Sequence, residues 1–467
     1  MKKMKAVLAL CATLGLGGCD FDVPDLNNPG IEALRDNPTR SSVLSASTGL
    51  LIGHRVTIAA QNGYVAQLGV LGREGYILDT ADPRYVTEML SGSGLDPGSP
   101  AFGGNFWAGP YANIRNAHTV LDATDKVTGM TDAEKESIRG YAKTMLALDF
   151  LLVINTRDIN GAPIDVNRPL AGPLAPIVSK EEVFAHIAKL LDEAKAHLQA
   201  AGTTSTATFP FPLSTGFVNF EAKTEADKKK PFTVQNFVKF NRAVRARVAV
   251  YEKQWDTALA ALDESFLSEA TTELDLGVYH IFSGGSGDTP NGLISANIYA
   301  NPKLLADAEK QAGSTTLVDA RVARKVATVK TPGDWQGITT SVGFTPLYGD
   351  NAAPVAIIRN EELLLLRAEA IANAGAGNPT EATRLLNHIR VNSGKLTAIP
   401  EDLSGKPFED ELLEQRRFSL LFEGGHRWID MRRYNRLEEL RQEDPAGVDF
   451  KVHAAFPIPV AETDARK

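Results

Sequence analysis

The strongest constraint on the fold is the helical spacing of apolar residues, which recurs in the first and last thirds of the sequence. Between Ser179 and Ala200 one helix face collects the apolar side chains Val183, Ile187, Leu190, Leu191, Ala194 and Leu198. Ser179 with Glu182 has the spacing of a capping box, and Thr131 with Glu134 repeats it. The helix that begins at Thr131 is apolar on most faces, so we expect it to be buried.

Several predicted helices come in pairs with short connections. One helix runs to about Tyr251, turns through residues 253–256 and resumes near Ala258. Another runs from about Asn360 to Asn373 and restarts at Pro379, a residue that is tolerated at a helix start. These pairs resemble tetratricopeptide-type hairpins, each of which buries its apolar face by stacking on a neighbour. The sequence therefore predicts a mainly α-helical scaffold with insertions.

Two stretches lack this helical pattern. From Thr271 to Asp350 the chain is rich in glycine and has β-favouring segments such as Val322 to Val329, and residues 283–288 are predicted to form a loop. A second irregular stretch, rich in glycine and proline, runs from Asp79 to Pro110. Since binding residues usually lie on long loops held by a rigid scaffold, we expect the ligand site in these stretches.

The N-terminus has the features of an export signal. Lys2, Lys3 and Lys5 precede a short apolar run, and the segment Leu16-Gly17-Gly18-Cys19 resembles a bacterial lipobox. We expect residues 1–18 to be a cleaved lipoprotein signal peptide, Cys19 to be lipidated, and residues 19–30 to form a tether. Several acyl chains on one cysteine make a durable membrane anchor. A plain signal peptidase site beside an unmodified Cys19 is the alternative.

Cysteine content and charge exclude several classes of function. The second cysteine, Cys11, lies in the predicted signal peptide, so the mature chain would contain no disulfide, thiolate metal site or cysteine nucleophile. Loss of the three signal lysines would change the net charge from −8 to −11. This charge argues against nucleic acid or an anionic lipid surface as the main partner.

The C-terminal third contains the motif with the highest information content. Residues Glu414 to Arg433, which include Phe422-Glu423-Gly424-Gly425-His426-Arg427-Trp428, closely resemble the C-terminal signature of the SusD/RagB family. Further similar segments occur in the same order as in that family: Trp107 to Asn116, Asp319-x-Arg321, Ile358 to Ala370, and Leu386 to Arg390. The chain departs from the family pattern at Asn360 and by an extra glycine in Gly424-Gly425.

The resemblance implies a SusD-like fold in a single domain, residues 31–467. Helical hairpins would occupy residues 105–270 and 355–441, and a loop-rich, minor β insertion at 271–354 would contribute to ligand binding. It also implies a lipid-anchored outer-membrane protein, facing the extracellular side, without catalytic activity. Such a protein binds a nutrient, most often an oligosaccharide, and delivers it to a SusC-like TonB-dependent transporter.

Two alternatives to glycan uptake remain open from the sequence. The first is the same fold with a peptide or another small molecule as ligand, since only 7% of the residues are aromatic. A lipid-anchored extracellular glycoside hydrolase would need a pair of carboxylates, and the sequence singles out none. The Glu423-to-Trp428 segment gathers a carboxylate, an imidazole and an arginine, but a helix junction held by ion pairs requires the same groups.

Candidate ligand residues are aromatic platforms and polar side chains in the two irregular stretches. Sugar binding uses flat apolar faces with hydrogen-bonding groups around them. The predicted platforms are Tyr85, Trp107, Trp335, Phe344 and Tyr348, and the predicted polar partners are Asp79, Arg84, Asn105, Gln336 and Asn351. For each aromatic residue, packing within the protein is the competing interpretation. We predict no catalytic residue, no metal ligand and no cofactor, and the residues give no support for bound calcium.

Overall fold

The computed structural model describes residues 31–92, 94–99, 105–169, 171–202, 204, 206–222 and 224–467. The predicted signal peptide, lipidated Cys19 and tether lie outside these residues. Among the described residues, no helix combines the length and apolar character that crossing a bilayer requires.

Helices dominate the described chain, as the sequence predicted. Their bounds are α1 Ile31–Asp36, α2 Arg40–Arg55, α3 Tyr64–Leu71, α4 Arg84–Thr87, α5 Asn105–Lys126, α6 Asp132–Arg157, α7 Lys180–Ala201, α8 Glu225–Lys228, α9 Val234–Tyr251, α10 Trp255–Asp263, α11 Lys303–Asp307, α12 Ala320–Lys325, α13 Thr345–Tyr348, α14 Asn360–Asn373, α15 Pro379–Ile389, α16 Gly405–Ser419, α17 His426–Arg433 and α18 Val460–Asp464.

The predicted capping boxes fix the starts of α6 and α7, two long scaffold helices. The Thr131 hydroxyl accepts a hydrogen bond from the amide of Glu134, whose carboxylate accepts one from the Thr131 amide at 2.9 Å. Ser179 and Glu182 make the same reciprocal pair at the start of α7. These bonds satisfy amides that lack partners inside the helix, so both predicted starts are confirmed.

Neighbouring helices pack in sequence to form a layered stack. Helix α5 packs between α2 and α6, then α7, α9, α10, α14 and α15 follow in turn. The two predicted hairpins are the pairs α9–α10 and α14–α15, with turns where the sequence placed them. Asn360, a departure from the family pattern, is fully buried and donates hydrogen bonds to the carbonyls of Ser268 and Glu273. It therefore ties α14 to the segment that follows α10.

The strands are short and form four two-stranded antiparallel sheets among the described residues. The pairs are β1 Gly75–Ile77 with β5 Ile298–Ala300, β2 Ala162–Pro163 with β3 Ile177–Val178, β4 Gly277–His280 with β8 Val355–Arg359, and β6 Ala327–Trp335 with β7 Ile338–Gly343. In the first pair Gly75 lies opposite Ala300 and Ile77 opposite Ile298.

The core of the described residues has a helical part, a mixed part and a smaller third part between α14, α15 and α16. The side chains of α5, α6, α7 and α9 fill the first, where Tyr141 and Phe237 are fully buried. The second lies under β1, β5, β7 and α17, and Trp428 is completely enclosed in it. The mixed core supports the loops that precede and follow the short strands.

Two local predictions were wrong. The segment Val322 to Val329 begins as helix, because α12 extends to Lys325 and the strand starts only at Ala327. The irregular stretch ends before Asn105 instead of at Pro110, since α5 accommodates Pro110 within its first turns. In the C-terminal signature, α16 ends at Ser419, and residues 420–425, which include Gly424 and Gly425, form the turn into α17.

Candidate functional site

A cluster of hydrogen-bonded polar side chains lies where β1 ends and β5 begins. We call it the Gln61 cluster; its members are Gln61, Asp79, Tyr85, Ser295 and Asn297. The Gln61 amide donates to Asp79 Oδ2 at 2.7 Å, and its carbonyl oxygen accepts from Ser295 Oγ and from Asn297 Nδ2. Gln61 also shares a hydrogen bond with Tyr85. One amide therefore connects four other side chains.

Strand pairing explains why residues so distant in sequence meet there. Because Ile77 lies opposite Ile298 in an antiparallel pair, the residues that follow β1 are adjacent to those that precede β5. The Leu78 amide extends this pairing by donating to the Asn297 carbonyl at 2.8 Å. Gln61 is held alongside by the turn between α2 and α3. Gln61, Asp79, Ser295 and Asn297 are all half-buried, so each retains access to solvent.

An ion pair borders the Gln61 cluster on the loop after β1. Arg84 donates to both carboxylate oxygens of Asp82 at 2.8 Å. The hydrogen bond from Arg84 lowers the pKa of Asp82 despite the opposing effect of burial. Tyr85 is buried, and that burial raises the pKa of its hydroxyl, so the phenol is neutral and can donate or accept a hydrogen bond.

The β6–β7 hairpin packs beside the same strand pair. A Cβ at Gly333 would lie 2.7 Å from Leu78 Cδ1 and 2.9 Å from the Tyr299 ring, so glycine permits this close approach. Trp335 is half-buried, and its indole N–H has no hydrogen-bond partner among the described residues. Gln336 is exposed at the hairpin tip with φ +53°. The hairpin therefore contacts Leu78 and Tyr299 at Gly333, and its tip carries an aromatic and an amide side chain.

Four of the five predicted platforms are buried, namely Tyr85, Trp107, Phe344 and Tyr348, and the packing of the last two corrects their prediction as platforms. The ring of Phe344 stacks on that of Phe422 with centroids 3.9 Å apart. Tyr348 donates its hydroxyl hydrogen to the Phe422 carbonyl at 2.9 Å. Both are buried, so neither presents a flat face to solvent. Their aromatic character serves packing beneath the loops.

The remaining predicted residues lie apart from the Gln61 cluster. Trp107 is buried on α5 and donates from Nε1 to Glu462 Oε2 at 3.3 Å, in contact with the C-terminal helix. Asn105 begins α5, and its side chain is outside the described part of the structure. Asn351 is exposed beside the loop of residues 283–288, and its carbonyl accepts from the Asn291 amide at 2.7 Å. The structure therefore groups Asp79, Arg84 and Tyr85, and it places Trp335 and Gln336 at the tip of the β6–β7 hairpin.

Sequence reasoning missed Gln61, Ser295 and Asn297. Neither a local motif nor an aromatic neighbour marks them, because their common location depends on pairing between strands more than 200 residues apart. The only available indication was the position of Ser295 and Asn297 within the irregular stretch from Thr271 to Asp350.

The chemistry of the Gln61 cluster suits a neutral ligand rich in hydroxyl groups. Amide, hydroxyl and carboxylate groups converge on a half-buried surface, and the nearby arginine is already paired. Among the described residues, no group of three or more histidine, aspartate or glutamate side chains is placed to hold a metal ion. Such an arrangement can orient a ligand through hydrogen bonds.

The acidic and histidine side chains of the C-terminal signature lie in the interior. Glu423 accepts from Lys325 Nζ at 2.5 Å and from Arg359 Nε at 2.8 Å. Asp430 accepts from Arg416 Nε at 2.6 Å, and His426 is buried near the carboxylates of Glu362 and Asp430. These contacts describe a helix junction held by ion pairs rather than an accessible catalytic centre.

A second glutamate belongs to the same junction. Glu361 pairs with Arg359 at 2.5 Å and accepts from the Ser419 hydroxyl at 2.7 Å. Burial alone would raise the pKa of Glu361, but the charges of Arg359 and Arg321 outweigh it and lower that pKa to about 2.

Comparison with known proteins relates this geometry to one family. The SusD family model matches residues 345–462. A SusD-like protein of Formosa agariphila is 38% identical over 106 residues, which make up 21% of this chain and 20% of that protein. The matched segment thus spans about a fifth of the curated relative, and both sequence matches concern a part of the chain.

Solved structures share the fold over nearly the whole chain. A SusD-like carbohydrate binding protein from Bacteroides fragilis has a TM-score of 0.66 at 13% identity, covering 93% of this chain and 99% of its own. A SusD superfamily protein from Bacteroides vulgatus has a TM-score of 0.63 at 14% identity, with coverages of 91% and 96%. A laminarin binding SusD-like protein has a TM-score of 0.59 at 16% identity, with coverages of 92% and 98%.

At these identities the structural likeness shows the fold, and the sequence matches relate a part of the chain to one family. The helical stack, the buried C-terminal signature and the agreement with the family model over residues 345–462 are mutually consistent. The chain therefore has the fold of SusD-like proteins, and its residues 345–462 match the SusD/RagB family.

Proposed function

We propose that this protein is an outer-membrane lipoprotein that binds a glycan or oligosaccharide at the cell surface. It then delivers this nutrient to a SusC-like TonB-dependent transporter. The anchor would be the acylated Cys19, and the binding surface would be the Gln61 cluster with the adjacent β6–β7 hairpin.

The observation that best supports glycan binding is the convergence of hydrogen-bonding groups on Gln61. Donors and acceptors of several kinds lie within reach of one another, and the β6–β7 hairpin, which contacts Leu78 at Gly333, carries the half-buried ring of Trp335. Sugars present both hydroxyl groups and apolar ring faces, and such mixed sites recognise them. A laminarin binding protein has the same fold, which supports a β-glucan as the first ligand to test.

Calorimetric titration of the purified chain with laminarin oligosaccharides and a panel of neutral glycans tests this proposal. We expect binding to at least one glycan, and we expect Gln61→Ala to weaken it about tenfold or more, because several hydrogen bonds lose their common partner. Gln199→Ala is the matched control, since Gln199 is exposed near the end of α7. Unchanged affinity in Gln61→Ala would show that the glycan binds outside the Gln61 cluster. Absence of binding to any glycan at millimolar concentration would reject the proposed function.

Anchoring and delivery need a separate test in cells. Mass spectrometry of the mature protein should find acyl groups on Cys19, and surface proteolysis of intact cells should degrade the protein. Cys19→Ser is the control, because it removes the acceptor sulfur and should release the protein from the membrane fraction. Co-purification with a TonB-dependent transporter after mild detergent extraction would support delivery. An unmodified terminus or a fully protected periplasmic protein would contradict the proposal.

A reducing-end assay distinguishes glycan binding from glycan hydrolysis. A binding protein releases no reducing ends from the glycan that it retains, whereas a glycoside hydrolase does. Incubation of the purified chain with the bound glycan should therefore leave its reducing-end content unchanged.

A further inference from the structure

A second concave surface lies along the first half of α5. We call it the Trp107 cleft; its principal lining residues are Trp107, Tyr111, Arg115, Arg168, Leu174 and Arg466. It is formed by the first half of α5, the segment that connects β2 to β3, and the C-terminal helix α18. Its volume is about 360 Å³, and it shares no lining residue with the Gln61 cluster. That volume is in the range of small-molecule sites.

The floor and walls of the Trp107 cleft are apolar and rigid. The rings of Trp107 and Tyr111 lie 5.0 Å apart, and the Tyr111 hydroxyl donates to the Pro163 carbonyl at 2.7 Å. Leu174, 49% exposed, stands among the lining prolines Pro163, Pro169 and Pro173. Proline restricts the backbone, so these walls lose little entropy when a ligand binds.

Positive charge predominates in the Trp107 cleft. Three arginines line it against one carboxylate, Glu462. That carboxylate is already engaged by Arg466 Nε at 2.9 Å and by the Trp107 indole N–H at 3.3 Å. Arg168 pairs with Asp165, which is exposed. The cleft is therefore cationic although the whole chain has a net charge of −8.

Of these three arginines, Arg115 is the one whose guanidinium is not already paired with a carboxylate. It is exposed on α5, and its guanidinium forms no hydrogen bond or ion pair with the described residues. A guanidinium group binds a carboxylate through two parallel hydrogen bonds, and such charged bonds are stronger than neutral ones. An aromatic floor with a free arginine at its edge suits a planar or ring-shaped molecule that has one carboxylate.

We propose that the Trp107 cleft binds a ring-bearing carboxylate, either a uronate sugar or an aromatic acid, through Arg115 and the Trp107–Tyr111 surface. The proposal is independent of glycan binding at the Gln61 cluster, because the two surfaces have no residue in common. It adds a second ligand class to this protein.

Calorimetric titration of the full chain with methyl glucuronide, sodium benzoate and methyl glucoside tests the proposal. We expect at least one carboxylate to bind, and methyl glucoside to bind at least tenfold more weakly than methyl glucuronide if the sugar acid is the ligand. Binding of benzoate alone would identify an aromatic acid. Raising the salt concentration should weaken either interaction.

Variants distinguish the Trp107 cleft from general charge effects. Arg115→Gln should weaken carboxylate binding about tenfold or more, because a charged hydrogen bond is replaced by a neutral one. Arg441→Gln changes the net charge equally at an exposed arginine that pairs with Glu438, and should have no effect. Gln61→Ala should also leave carboxylate binding unchanged, so failure here is separable from failure of the glycan proposal.

Three results would overturn the assignment. These are no binding of either carboxylate at millimolar concentration, equal affinity for methyl glucoside and methyl glucuronide without benzoate binding, and full affinity in Arg115→Gln. Circular dichroism of Arg115→Gln should match that of the parent chain, since the side chain is exposed and makes no contact that folding requires.

Discussion

Replacement of Glu423 by glutamine should strongly destabilise the fold although it preserves size and shape. The carboxylate is about nine-tenths buried and is shared by Lys325 and Arg359, which are buried to a similar degree. Burial raises the pKa of Glu423, but the charges of Arg359 and Lys325 outweigh it, so the pKa lies below its usual value. At neutral pH the group is therefore ionised in the interior.

The magnitude follows from the charges that would remain. Lys325 and Arg359 now face Glu423 and Glu361, so the local charge is balanced. Glu423→Gln leaves one buried positive charge without a partner, which costs about 3–5 kcal/mol in comparable buried pairs. Removing that charge as well should recover part of the loss. The double variant Lys325→Met with Glu423→Gln should therefore lose less than the sum of the single losses.

Urea unfolding followed by far-ultraviolet circular dichroism measures both quantities. Glu438→Gln is the matched control: Glu438 is 76% exposed and pairs with Arg441, so its loss should cost less than about 1 kcal/mol. The reasoning would be refuted by a loss below about 1 kcal/mol in Glu423→Gln, where 3–5 kcal/mol is expected. It would also be refuted if the double variant lost the full sum.

Three further predictions concern the junction and its surroundings. The stability contributed by Glu361, whose pKa is about 2, is fully present above pH 4.5 and is lost as the pH falls through 2; it amounts to about 3 kcal/mol. The urea midpoint of Glu361→Gln should therefore change less with pH across that range than the midpoint of the parent chain does. Parallel plots of midpoint against pH for the two chains would contradict this. Gly425→Ala should cost about 2–4 kcal/mol, because φ is +72° and the new Cβ would lie 2.3 Å from Leu68 Cβ. Gly129→Ala is the control: Gly129 has φ +75° but open space around an added Cβ, so the change should cost about 1–2 kcal/mol. Equal losses of stability in the two variants would exclude a steric contribution at Gly425. Asn360→Ala should cost about 2–3 kcal/mol in the same assay, because the carbonyls of Ser268 and Glu273 lose their hydrogen-bond donor. A loss below about 1 kcal/mol would refute that role.

The helical scaffold was predictable because its determinants are local. Capping at Ser179 and Thr131 depends on residues three positions apart, and the stripe along α7 depends on the helical repeat. The restart at Pro379 follows from the fixed φ of proline. Each of these interactions is contained within one or two turns of chain, so the sequence alone specifies it.

Predictions failed where distant parts of the chain decide the local structure. Val322 was assigned to a strand from its β-branched side chain, but it is completely buried in a short helix against the mixed core. Phe344 and Tyr348 have the composition of a sugar platform, yet Phe422, more than 70 residues away, packs against both. Propensity could not distinguish a ring that faces solvent from one that faces another ring.

The sequence by itself determined the helices, their pairing into hairpins and the C-terminal signature of the family, because short-range hydrogen bonding and periodic burial encode them. The tertiary structure decided which polar groups converge. Gln61, Asp79 and Asn297 meet only because β1 pairs with β5, and Arg115 faces the Trp107 cleft only because the C-terminal helix closes it. Both surfaces depend on contacts between segments hundreds of residues apart, whose proximity no local pattern specifies.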